Sequence, residues 1–414
     1  MAGKTVVILG GGVGGLVAAH ELRRRLGREH RIVVVEREAD HRFQASYPWV
    51  MMGWREPAQI SRPLRSLNQR GIDCRRATVL GIDPQTGTVD TDSGPVAFDY
   101  LVLALGAELA DDAIPGLAEA GYTPYTVDGA IKLREAWQSF ERGSVAVVIS
   151  SLPFKCPAAP YEVAMLLESG FRRRGVRGSV DVQLYTPEAL PMPVAGAAVG
   201  QALKGMLEEK HIGFNPSRKL ASVDPGKRVL TFEDKTSVGF DLLVYIPPHR
   251  SPGPVRASAI AGEAGWVPVN GRTLETTHEG VYAIGDAAAI KLPNGMMLPK
   301  AGVFAHGEAE VVARRIAAEI EGVGGGETFD GWGSCFVETG DRNTAYGSGS
   351  FYAEPNPAVR LYMPTKSRHV GRVIFEKTWL TAISGQPAVS NAAFGAMNLI
   401  GRRLLEQHWL WSRL

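Results

Sequence analysis

The sequence contains little cysteine and no excess of either charge. Three cysteines, Cys74, Cys156 and Cys335, occur among 414 residues, and no Cys-x-x-Cys pair is present. Three cysteines cannot build a disulfide framework, and without paired ligands we predict no metal site. The 45 basic and 43 acidic residues leave a net charge of +2, which gives no bulk electrostatic reason to expect a nucleic-acid partner.

Long apolar runs are also missing. No run reaches the roughly 18–20 residues that span a membrane. The strand-like residues 4–9 lead directly into glycine, so we expect no secretory leader. The hydrophobic content of 45 % excludes disorder, and the 48 glycines follow no Gly-x-y period, which excludes collagen. At this length about two to three domains are expected.

The first glycine-rich turn follows an apolar strand and opens a helix. It has the spacing Gly10-x-Gly12-x-x-Gly15, and Glu36 ends the next apolar strand. Such glycines allow a tight turn and close approach of the backbone to a pyrophosphate, while the helix N-terminus presents free N–H groups to it. A carboxylate placed like that of Glu36 can accept hydrogen bonds from ribose hydroxyls. We predict a dinucleotide site here; a glycine turn with a surface glutamate is the alternative.

Two later segments favour FAD as the dinucleotide. Residues 276–286 end in Gly285-Asp286 and resemble the second FAD motif of the disulfide-reductase-like flavoproteins. In those proteins the aspartate reaches the ribityl chain and the glycine leaves space for the flavin phosphates. Residues 99–106 end at Gly106 and resemble the strand and turn that cross between the two domains of the same superfamily. Three motifs in the right order therefore predict bound FAD.

A second strand–loop–helix unit lacks the glycines of the first. Its strand at 145–149 is followed by a loop with two prolines and Cys156, and no glycine occurs between Gly143 and Gly170. A pyrophosphate cannot approach such a backbone in the usual way. We therefore expect no NAD(P)H site in this unit, and a rigid loop that presents a thiol.

Four further segments of the chain carry more specific signatures. They are the cysteine loop at 156–162, the Pro-Lys segment at 298–303, the Gly-Ser-Cys-Phe segment at 333–336 and the Phe-Glu-Lys segment at 375–380. These segments resemble those of the sulfide:quinone oxidoreductases and of the flavoprotein subunit of flavocytochrome c sulfide dehydrogenase. The resemblance extends from residue 5 to about residue 380, and its specific part is the cysteine loop with the Pro-Lys segment.

The resemblance implies a pair of redox cysteines. Cys156 and Cys335 would approach each other beside the flavin, on the face opposite the quinone. Sulfide would attack a sulfur bridge between them and leave a persulfide, which we assign to Cys156, while the thiolate of Cys335 would pass two electrons to the flavin. Glu162 would carry the proton, with capping of its helix as the alternative. Cys74, in a strand-like segment, is interpreted as packing.

The resemblance also implies a quinone pocket. Gly302 and Phe336 would line it, and Lys300 would lie at the flavin pyrimidine ring and stabilise negative charge on reduction. Residues 397–414 form an amphipathic tail in which Trp, Leu and Ile lie near three arginines, which is typical of a helix in a membrane interface. A helix that covers the core or forms a dimer contact is the alternative.

Two regions depart from the family pattern. Many sulfide:quinone oxidoreductases carry a third cysteine in a Cys-x-Val-Asp-His segment, where this chain has Tyr125 and, at the histidine, Gly129. The two-cysteine pattern is closer to flavocytochrome c and to some quinone-reducing subtypes. The flavocytochrome flavin is tethered by an early cysteine, and residues 43–47 contain none. We therefore expect FAD to be bound non-covalently.

Alternating strands and helices predict an α/β fold with two Rossmann-like dinucleotide-binding domains, in which parallel sheets are covered by helices on both faces in three layers. Residues 1–110 and 266–322 would form the FAD-binding domain. Residues 111–265 would form the second Rossmann-like domain, which bears the Cys156 loop. Residues 323–414 would form a C-terminal domain at the quinone and membrane interface, with the amphipathic helical tail.

These observations predict a sulfide:quinone oxidoreductase-like flavoenzyme, peripheral to the inner membrane on its cytoplasmic side. Its partners would be a quinone and sulfide, or a related thiol or persulfide, and self-association stays open. A flavocytochrome-type sulfide dehydrogenase and a type II NADH:quinone reductase are the alternative enzymes, and the missing second glycine fingerprint disfavours NADH. A flavin-binding regulatory protein is the non-enzyme alternative, which two cysteines in separate motifs disfavour.

Overall fold

The computed structural model describes residues 3–384 together with residues 389 and 392. The tail predicted at 397–414 lies outside the described residues. Across the part that is described, no helix is both long and apolar enough to cross a bilayer.

The strands of the described chain are, in order, β1 (Thr5–Leu9), β2 (Arg31–Glu36), β3 (Asp40–Arg42), β4 (Ser61–Pro63), β5 (Asp73–Arg76), β6 (Val79–Asp83), β7 (Thr88–Thr91), β8 (Val96–Ala97), β9 (Tyr100–Leu103), β10 (Glu108–Leu109), β11 (Gly143–Ile149), β12 (Val180–Tyr185), β13 (Gly213–Asn215), β14 (Leu220–Asp224), β15 (Val229–Phe232), β16 (Ser237–Gly239), β17 (Leu242–Ile246), β18 (His249–Arg250), β19 (Val267–Pro268), β20 (Val281–Ala283), β21 (Ala288–Ala289), β22 (Trp332–Gly340), β23 (Asn343–Ser350) and β24 (Ala358–Thr365).

The α-helices are α1 (Val13–Arg25), α2 (Tyr47–Met51), α3 (Leu117–Ala120), α4 (Val127–Ser139), α5 (Ala159–Arg173), α6 (Ala197–Glu209), α7 (Gly253–Arg256), α8 (Gly302–Glu321) and α9 (Lys366–Ser384). Short 3₁₀ turns lie at Gln44–Ser46, Pro57–Ile60, Leu64–Arg70, Asp111–Ala113, Arg177–Ser179, Pro193–Ala195 and Gly285–Ala287.

Five parallel strands in the order β20-β9-β1-β2-β5 form the first sheet. Every residue at 6–9 and at 32–35 is buried, which is typical of parallel strands that are covered on both faces. Helices α1 and α8 pack together on one face. The antiparallel strands β6, β7 and β8 cover the other face, where their apolar side chains meet those of β1 and β2.

The second sheet repeats this plan with four parallel strands in the order β13-β12-β11-β17. Helices α5 and α6 lie on one face. On the other face, Ala146 and Val148 of β11 pack with Leu230 and Phe232 of the antiparallel meander β14-β15-β16. The two parallel sheets therefore carry the same layers in the same order.

The predicted α/β class with two Rossmann-like parallel sheets in three layers is confirmed. The prediction of helices on both faces is wrong, because an antiparallel meander forms the outer layer of each sheet. A meander needs one buried and one solvated face, so its strands alternate between apolar and polar residues. Residues 88–91 of β7, with Val89 and Thr91 buried and Asp90 exposed, have this character. The domain boundaries stay predictions.

The C-terminal part joins the two sheets. Strands β22, β23 and β24 form an antiparallel sheet that packs against α5 and α9. Helix α9 then runs back to the first sheet, where the Trp379 indole donates to His41 over 3.0 Å and Glu376 pairs with Arg55 over 2.9 Å. This arrangement brings β22 and α9 to the carboxyl ends of the parallel strands, where α/β sheets bind ligands.

Candidate active site

The glycine turn at 10–15 connects the carboxyl end of β1 to the N-terminus of α1. A Cβ atom on Gly12 would meet no neighbour within 4 Å, whereas one on Gly15 would lie 1.9 Å from the Gly10 carbonyl oxygen. Gly15 therefore allows the helix to pack on the strand, while Gly12 leaves open space before the helix N-terminus. The Glu36 carboxylate accepts a hydrogen bond from the Gly11 N–H over 2.7 Å and so borders the same space.

The second predicted cofactor segment lies beside this turn. Gly285 has a left-handed backbone with φ +65°, and its N–H donates to the buried carboxylate of Glu308 over 2.6 Å. Burial raises the pKa of Asp286, and the charges of Lys155 and Lys300 oppose that shift. Among the described residues, no hydrogen bond or ion pair to the Asp286 carboxylate is found.

These features fit a flavin dinucleotide. The open face of Gly12 with the free N–H groups of α1 suits a pyrophosphate, and an unsatisfied carboxylate such as that of Asp286 suits a polyol hydroxyl. Gly106 ends the neighbouring strand with φ +71° and open space at its Cβ position. The residues predicted to hold the cofactor thus lie along one edge of the first sheet.

Lys300 joins the cofactor segment to the cysteine loop. Its ammonium donates to the Asp286 carbonyl over 2.6 Å and lies 3.5 Å from the centroid of the Trp266 ring. Burial lowers the pKa of Lys300 to about 8, and burial raises that of Glu308 to about 8. Both groups line a cavity of about 10 Å³, which has room for one water molecule.

The structure brings Cys156 and Cys335 together. The Cys156 N–H donates to the Lys300 carbonyl over 2.7 Å, which fastens the cysteine loop to the Pro-Lys segment. Cys156 itself has a left-handed backbone with φ 54°. Cys335 lies in β22, which packs across α5 directly after the loop. Two residues far apart in the sequence therefore meet at the carboxyl end of the second sheet.

The two thiols differ in acidity because they hydrogen-bond to each other. Cys335 donates and Cys156 accepts, which holds the pKa of Cys156 below its ordinary value and that of Cys335 well above it. The sulfur of Cys335 also lies 3.2 Å from the Phe336 carbonyl oxygen, a second acceptor for the same proton. Cys156 is therefore the first of the pair to become a thiolate, the form that reacts as a nucleophile.

Glu162 lies in the first turn of α5, next to this pair. Its carboxylate is buried and accepts hydrogen bonds from the Arg372 guanidinium and from the Glu338 N–H. Burial raises the pKa of Glu162 to about 7, although the charge of Arg372 opposes the shift. Glu162 is also the acidic residue in the first turn of α5. Both interpretations, proton carrier and helix capping, therefore stay open.

Tyr125 fills the position of the third cysteine with a different function. Its ring is buried and lies edge-on to His249, with 5.5 Å between the centroids. Its hydroxyl donates to the Lys155 carbonyl over 2.9 Å and lies 3.4 Å from the Cys156 carbonyl oxygen. Tyr125 therefore holds the backbone of the cysteine loop. Gly129 lies in the first turn of α4, where the Thr126 side chain accepts from its N–H over 3.0 Å.

The two residues assigned to the quinone occupy different surroundings. Phe336 lies in β22 among aromatic rings, 5.0 Å from Tyr346 and 6.1 Å from Phe375 between centroids. Gly302 begins α8, and a Cβ atom there would lie 3.6 Å from Val13. Cys74 lies in β5, half-buried against the core, and burial raises the pKa of its thiol to about 11, which fits its interpretation as packing.

Several residues around the cysteines were missed in the sequence. Glu308 contacts the cofactor segment and Trp266 contacts Lys300. Arg372 and Glu338 contact Glu162, and His369 contacts Glu338. His369, Arg372 and Glu376 have the i, i+3, i+7 spacing of one helix face, and Glu376 belongs to the Phe-Glu-Lys segment. That spacing was a usable signal for a polar helix face turned inward. The strand residue Glu338 carried no such signal.

The second sheet differs from the first at the place that corresponds to the glycine turn. Glu188, three residues after β12, is buried, and its carboxylate accepts hydrogen bonds from the hydroxyls of Tyr161 and Thr186. Glu36, the last residue of β2, borders open space instead. The expectation that this unit holds no NAD(P)H site stays a prediction.

Comparisons with known proteins concern the family and the fold of this chain. The model of the pyridine nucleotide-disulphide oxidoreductase family matches residues 4–309. A mitochondrial sulfide:quinone oxidoreductase of Mus musculus is 28 % identical over 84 % of this chain and 79 % of that protein. A sulfide-quinone reductase of Aquifex aeolicus is 27 % identical over 91 % of this chain and 90 % of that protein. The crystal structure of the sulfide:quinone oxidoreductase of Aquifex aeolicus has a TM-score of 0.82 at 24 % identity, covering 92 % of this chain and 91 % of that chain.

Proposed function

The chain belongs to the pyridine nucleotide-disulphide oxidoreductase family, and from this we propose that it oxidises sulfide at the Cys156–Cys335 pair and delivers the electrons through bound FAD to a quinone. Relatives named sulfide:quinone oxidoreductase and sulfide-quinone reductase cover most of the chain and support this pair of substrates. The observation that carries the proposal is the meeting of two thiols beside the buried carboxyl of Glu162.

Cys156 receives the sulfur. When the pair is oxidised to a bridge, hydrosulfide forms a bond to the sulfur of Cys156, and the bond to Cys335 breaks. Cys156 then carries a persulfide and Cys335 is a thiolate. A new bond between Cys335 and the outer persulfide sulfur restores a bridge one sulfur longer, and it releases one proton and two electrons. Further turnovers lengthen the sulfur chain until polysulfide or sulfur leaves.

Glu162 accepts the proton that this step releases. It lies next to the pair, and its pKa of about 7 makes both protonation states accessible near neutral pH. The ion pair with Arg372 keeps the carboxylate oriented in a buried place. Without that partner, burial of the charged form would cost several kcal/mol.

A bound flavin supplies a two-electron acceptor that can in turn reduce a quinone. The family and its sulfide:quinone relatives imply this cofactor. We propose that Gly12 and the N-terminus of α1 bind its pyrophosphate, that Asp286 binds its ribityl chain and that Lys300 lies at its pyrimidine ring. Binding is non-covalent in this proposal, because residues 43–47 offer no cysteine for a tether.

The quinone and the membrane meet this protein at the C-terminal part. In our proposal Phe336 and Gly302 border the quinone ring. Val370 and Ile374 lie four residues apart on α9 and are exposed, and Lys377 follows them with an exposed side chain. An exposed apolar pair next to a cation suits peripheral binding to an anionic bilayer. The cytoplasmic side of the inner membrane is the corresponding proposed location.

The NADH:quinone alternative has less support. The loop after β11 contains prolines and a cysteine where a second glycine turn would be needed. The carboxylate of Glu188 already accepts hydrogen bonds from the hydroxyls of Tyr161 and Thr186. A type II NADH:quinone oxidoreductase of this kind would also leave the meeting of Cys156 and Cys335 without a role.

The experiment that tests the proposal is anaerobic reduction of the bound flavin. Sulfide should bleach the flavin absorbance, and a water-soluble quinone should restore it. Bleaching by NADH but not by sulfide would show that the proposal is wrong. Cys156→Ser and Cys335→Ser should each abolish bleaching by sulfide without loss of flavin, because either change removes one end of the sulfur bridge.

Cys74→Ser is the matched control for both substitutions. Cys74 lies in β5 away from the pair, and its raised pKa keeps the thiol protonated. Its variant should therefore bleach at the rate of the unchanged protein. Equal loss of bleaching in all three variants would instead indicate a general effect of removing thiols. The roles proposed for Cys156 and Cys335 would then be wrong.

Membrane binding has its own test. Vesicles of phosphatidylglycerol and phosphatidylethanolamine should carry the full chain to the top of a density gradient. A Val370→Asp/Ile374→Asp variant should float less, because it places charge in the apolar contact. Lack of flotation by the unchanged protein would refute the peripheral location and leave the redox proposal standing.

A further inference from the structure

A second and larger cavity lies on the far side of the Glu162 network. Its volume is about 450 Å³, which has room for several water molecules. Its walls combine two indole rings with guanidinium groups and an imidazole, and they are formed by Trp49, Trp54, Arg55, Arg173, Arg342, His369 and Val373. None of these residues belongs to the segments assigned to the cofactor, at 10–15 and 276–286, or to the cysteine pair.

His369 connects this cavity to the buried acids. Its Nδ1 lies 2.8 Å from the Glu338 carboxylate, and its ring lies against those of Trp49 and Trp54 in the cavity wall. The same oxygen of Glu338 lies 3.7 Å from the Arg372 guanidinium nitrogen that binds Glu162. Glu162 also accepts the Glu338 N–H. These contacts place the four residues in one continuous network between the cysteine pair and the cavity.

Two buried polar atoms along this path have no hydrogen-bond partner among the described residues. One is the second carboxylate oxygen of Glu338, a residue with no exposed surface, and the other is the indole nitrogen of Trp49. Buried groups of this kind are usually satisfied by ordered water. The path therefore has places for water between the carboxylates and the cavity.

The charged groups that face His369 come from several elements. Glu338 on β22 is its acidic partner, whereas Arg372 lies on its own helix and Arg55, Arg173 and Arg342 face it across the cavity. The guanidinium groups stay protonated at any physiological pH. Arg372 consequently orients the two carboxylates and does not itself pass a proton.

We propose that Glu338 and His369 form the route by which the proton taken up at Glu162 leaves for solvent through this cavity. The inference rests on the proposed function, since sulfide oxidation is what supplies the proton. The proton moves from the carboxyl of Glu162 to Glu338, then to His369, and finally to water in the cavity. No electrons move and no other bond changes. His369 acts through the two carboxylates and does not touch the sulfur.

The test is His369→Ala, assayed by the rate at which sulfide bleaches the flavin. The rate should fall about tenfold or more at neutral pH, with unchanged flavin content. Free imidazole should restore much of it, because the cavity admits a molecule of that size. Glu338→Gln should be equally slow, and imidazole should not rescue it, because its defect lies deeper in the path.

His211→Ala is the control, since His211 is exposed in the turn between α6 and β13 and away from this path. It should retain the full rate and gain nothing from imidazole. An unchanged rate in His369→Ala, or a loss that imidazole leaves untouched, would overturn the proposal.

A measurement without sulfide separates the two proposals. After a rapid pH jump, infrared absorption should show the protonation change of a buried carboxyl group. This signal should be absent in Glu162→Gln, which assigns it to Glu162. This titration should be slower in His369→Ala than in the unchanged protein. Equal titration rates would refute the route, whereas a protein whose flavin sulfide does not bleach would refute only the proposed function.

Discussion

The two parallel sheets have the same layers, but the loops at their carboxyl ends contain different residues. Each sheet has helices on one face and an antiparallel meander on the other. After β1 the chain turns through glycines and leaves open space at Gly12. After β11 it turns through prolines and holds Cys156 against the Lys300 carbonyl. The first loop thus has the open backbone that a phosphate group needs. The second loop has a hydrogen bond that restrains the backbone of Cys156.

The acidic residues at the two ends follow the same division. Glu36 borders the open space of the glycine turn, whereas Glu188 is buried and bound by two hydroxyl groups. Burial raises the pKa of Glu188 to about 7. The two sheets thus share the order of their layers, and they differ in one loop and in the surroundings of one carboxylate. The difference shows that residues at the loop, and not the layers of the sheet, set the chemistry of each end.

The largest expected effect concerns the glycine turn. Gly12→Ala should weaken flavin binding by about a hundredfold or more, because the methyl group would occupy the space left for a pyrophosphate. Its melting temperature without flavin should stay unchanged. Flavin content and calorimetry of the apoprotein check this.

Gly15→Ala is the contrasting variant at the same turn. Its methyl group would lie 1.9 Å from the Gly10 carbonyl oxygen, so we expect a loss of about 1–3 kcal/mol in unfolding free energy even without flavin. If the two variants lost the same flavin affinity and the same stability, Gly12 and Gly15 would not have the separate functions of cofactor binding and helix packing.

The next effect concerns the acid beside the thiol end. The bleaching rate should rise with pH up to about 7, the pKa to which burial raises Glu162, because the deprotonated carboxylate is the acceptor. Below that pH the rate should fall about tenfold per unit. With the hydrosulfide concentration held constant at each pH, Glu162→Gln should abolish this pH dependence and lower the rate about a hundredfold. A slope retained under that condition would transfer the titration to the thiols.

A smaller effect is expected at the carboxyl end of the second sheet. Tyr161→Phe removes a donor from the buried carboxylate of Glu188, which should cost about 1–3 kcal/mol of unfolding free energy. NADH should still fail to bleach the flavin, because the backbone of the loop is unchanged. Chemical denaturation and an NADH titration check the two parts, and NADH reduction in this variant would contradict the prediction that this unit holds no NAD(P)H site.

The smallest effect is expected at the third-cysteine position. Tyr125→Phe removes the hydroxyl that binds the Lys155 carbonyl, at a cost of about 1 kcal/mol in unfolding free energy. The loop should loosen, and sulfide should bleach the flavin a few times more slowly. The ultraviolet absorbance of the Cys156 thiolate against pH measures whether its environment has changed. An unchanged rate and titration would show that the loop needs no such clamp.

The sequence was informative wherever the chemistry is local. The glycine spacing at 10–15 and the Gly285-Asp286 turn each lie within a few residues, so their geometry follows from backbone sterics. The outer meanders were harder to predict, because short alternating strands give a weak pattern beside the long buried runs of a parallel sheet.

The sequence by itself therefore determined the α/β class, and the place of the cofactor and the roles of the two cysteines stay predictions. Only the tertiary structure decided which thiol is the more acidic, because the hydrogen bond between Cys156 and Cys335 joins separate parts of the chain. The same holds for Glu162, whose partners Glu338 and Arg372 come from β22 and α9. Acidity depends on burial and on charges within a few ångströms, and those distances are set by packing and not by spacing along the chain.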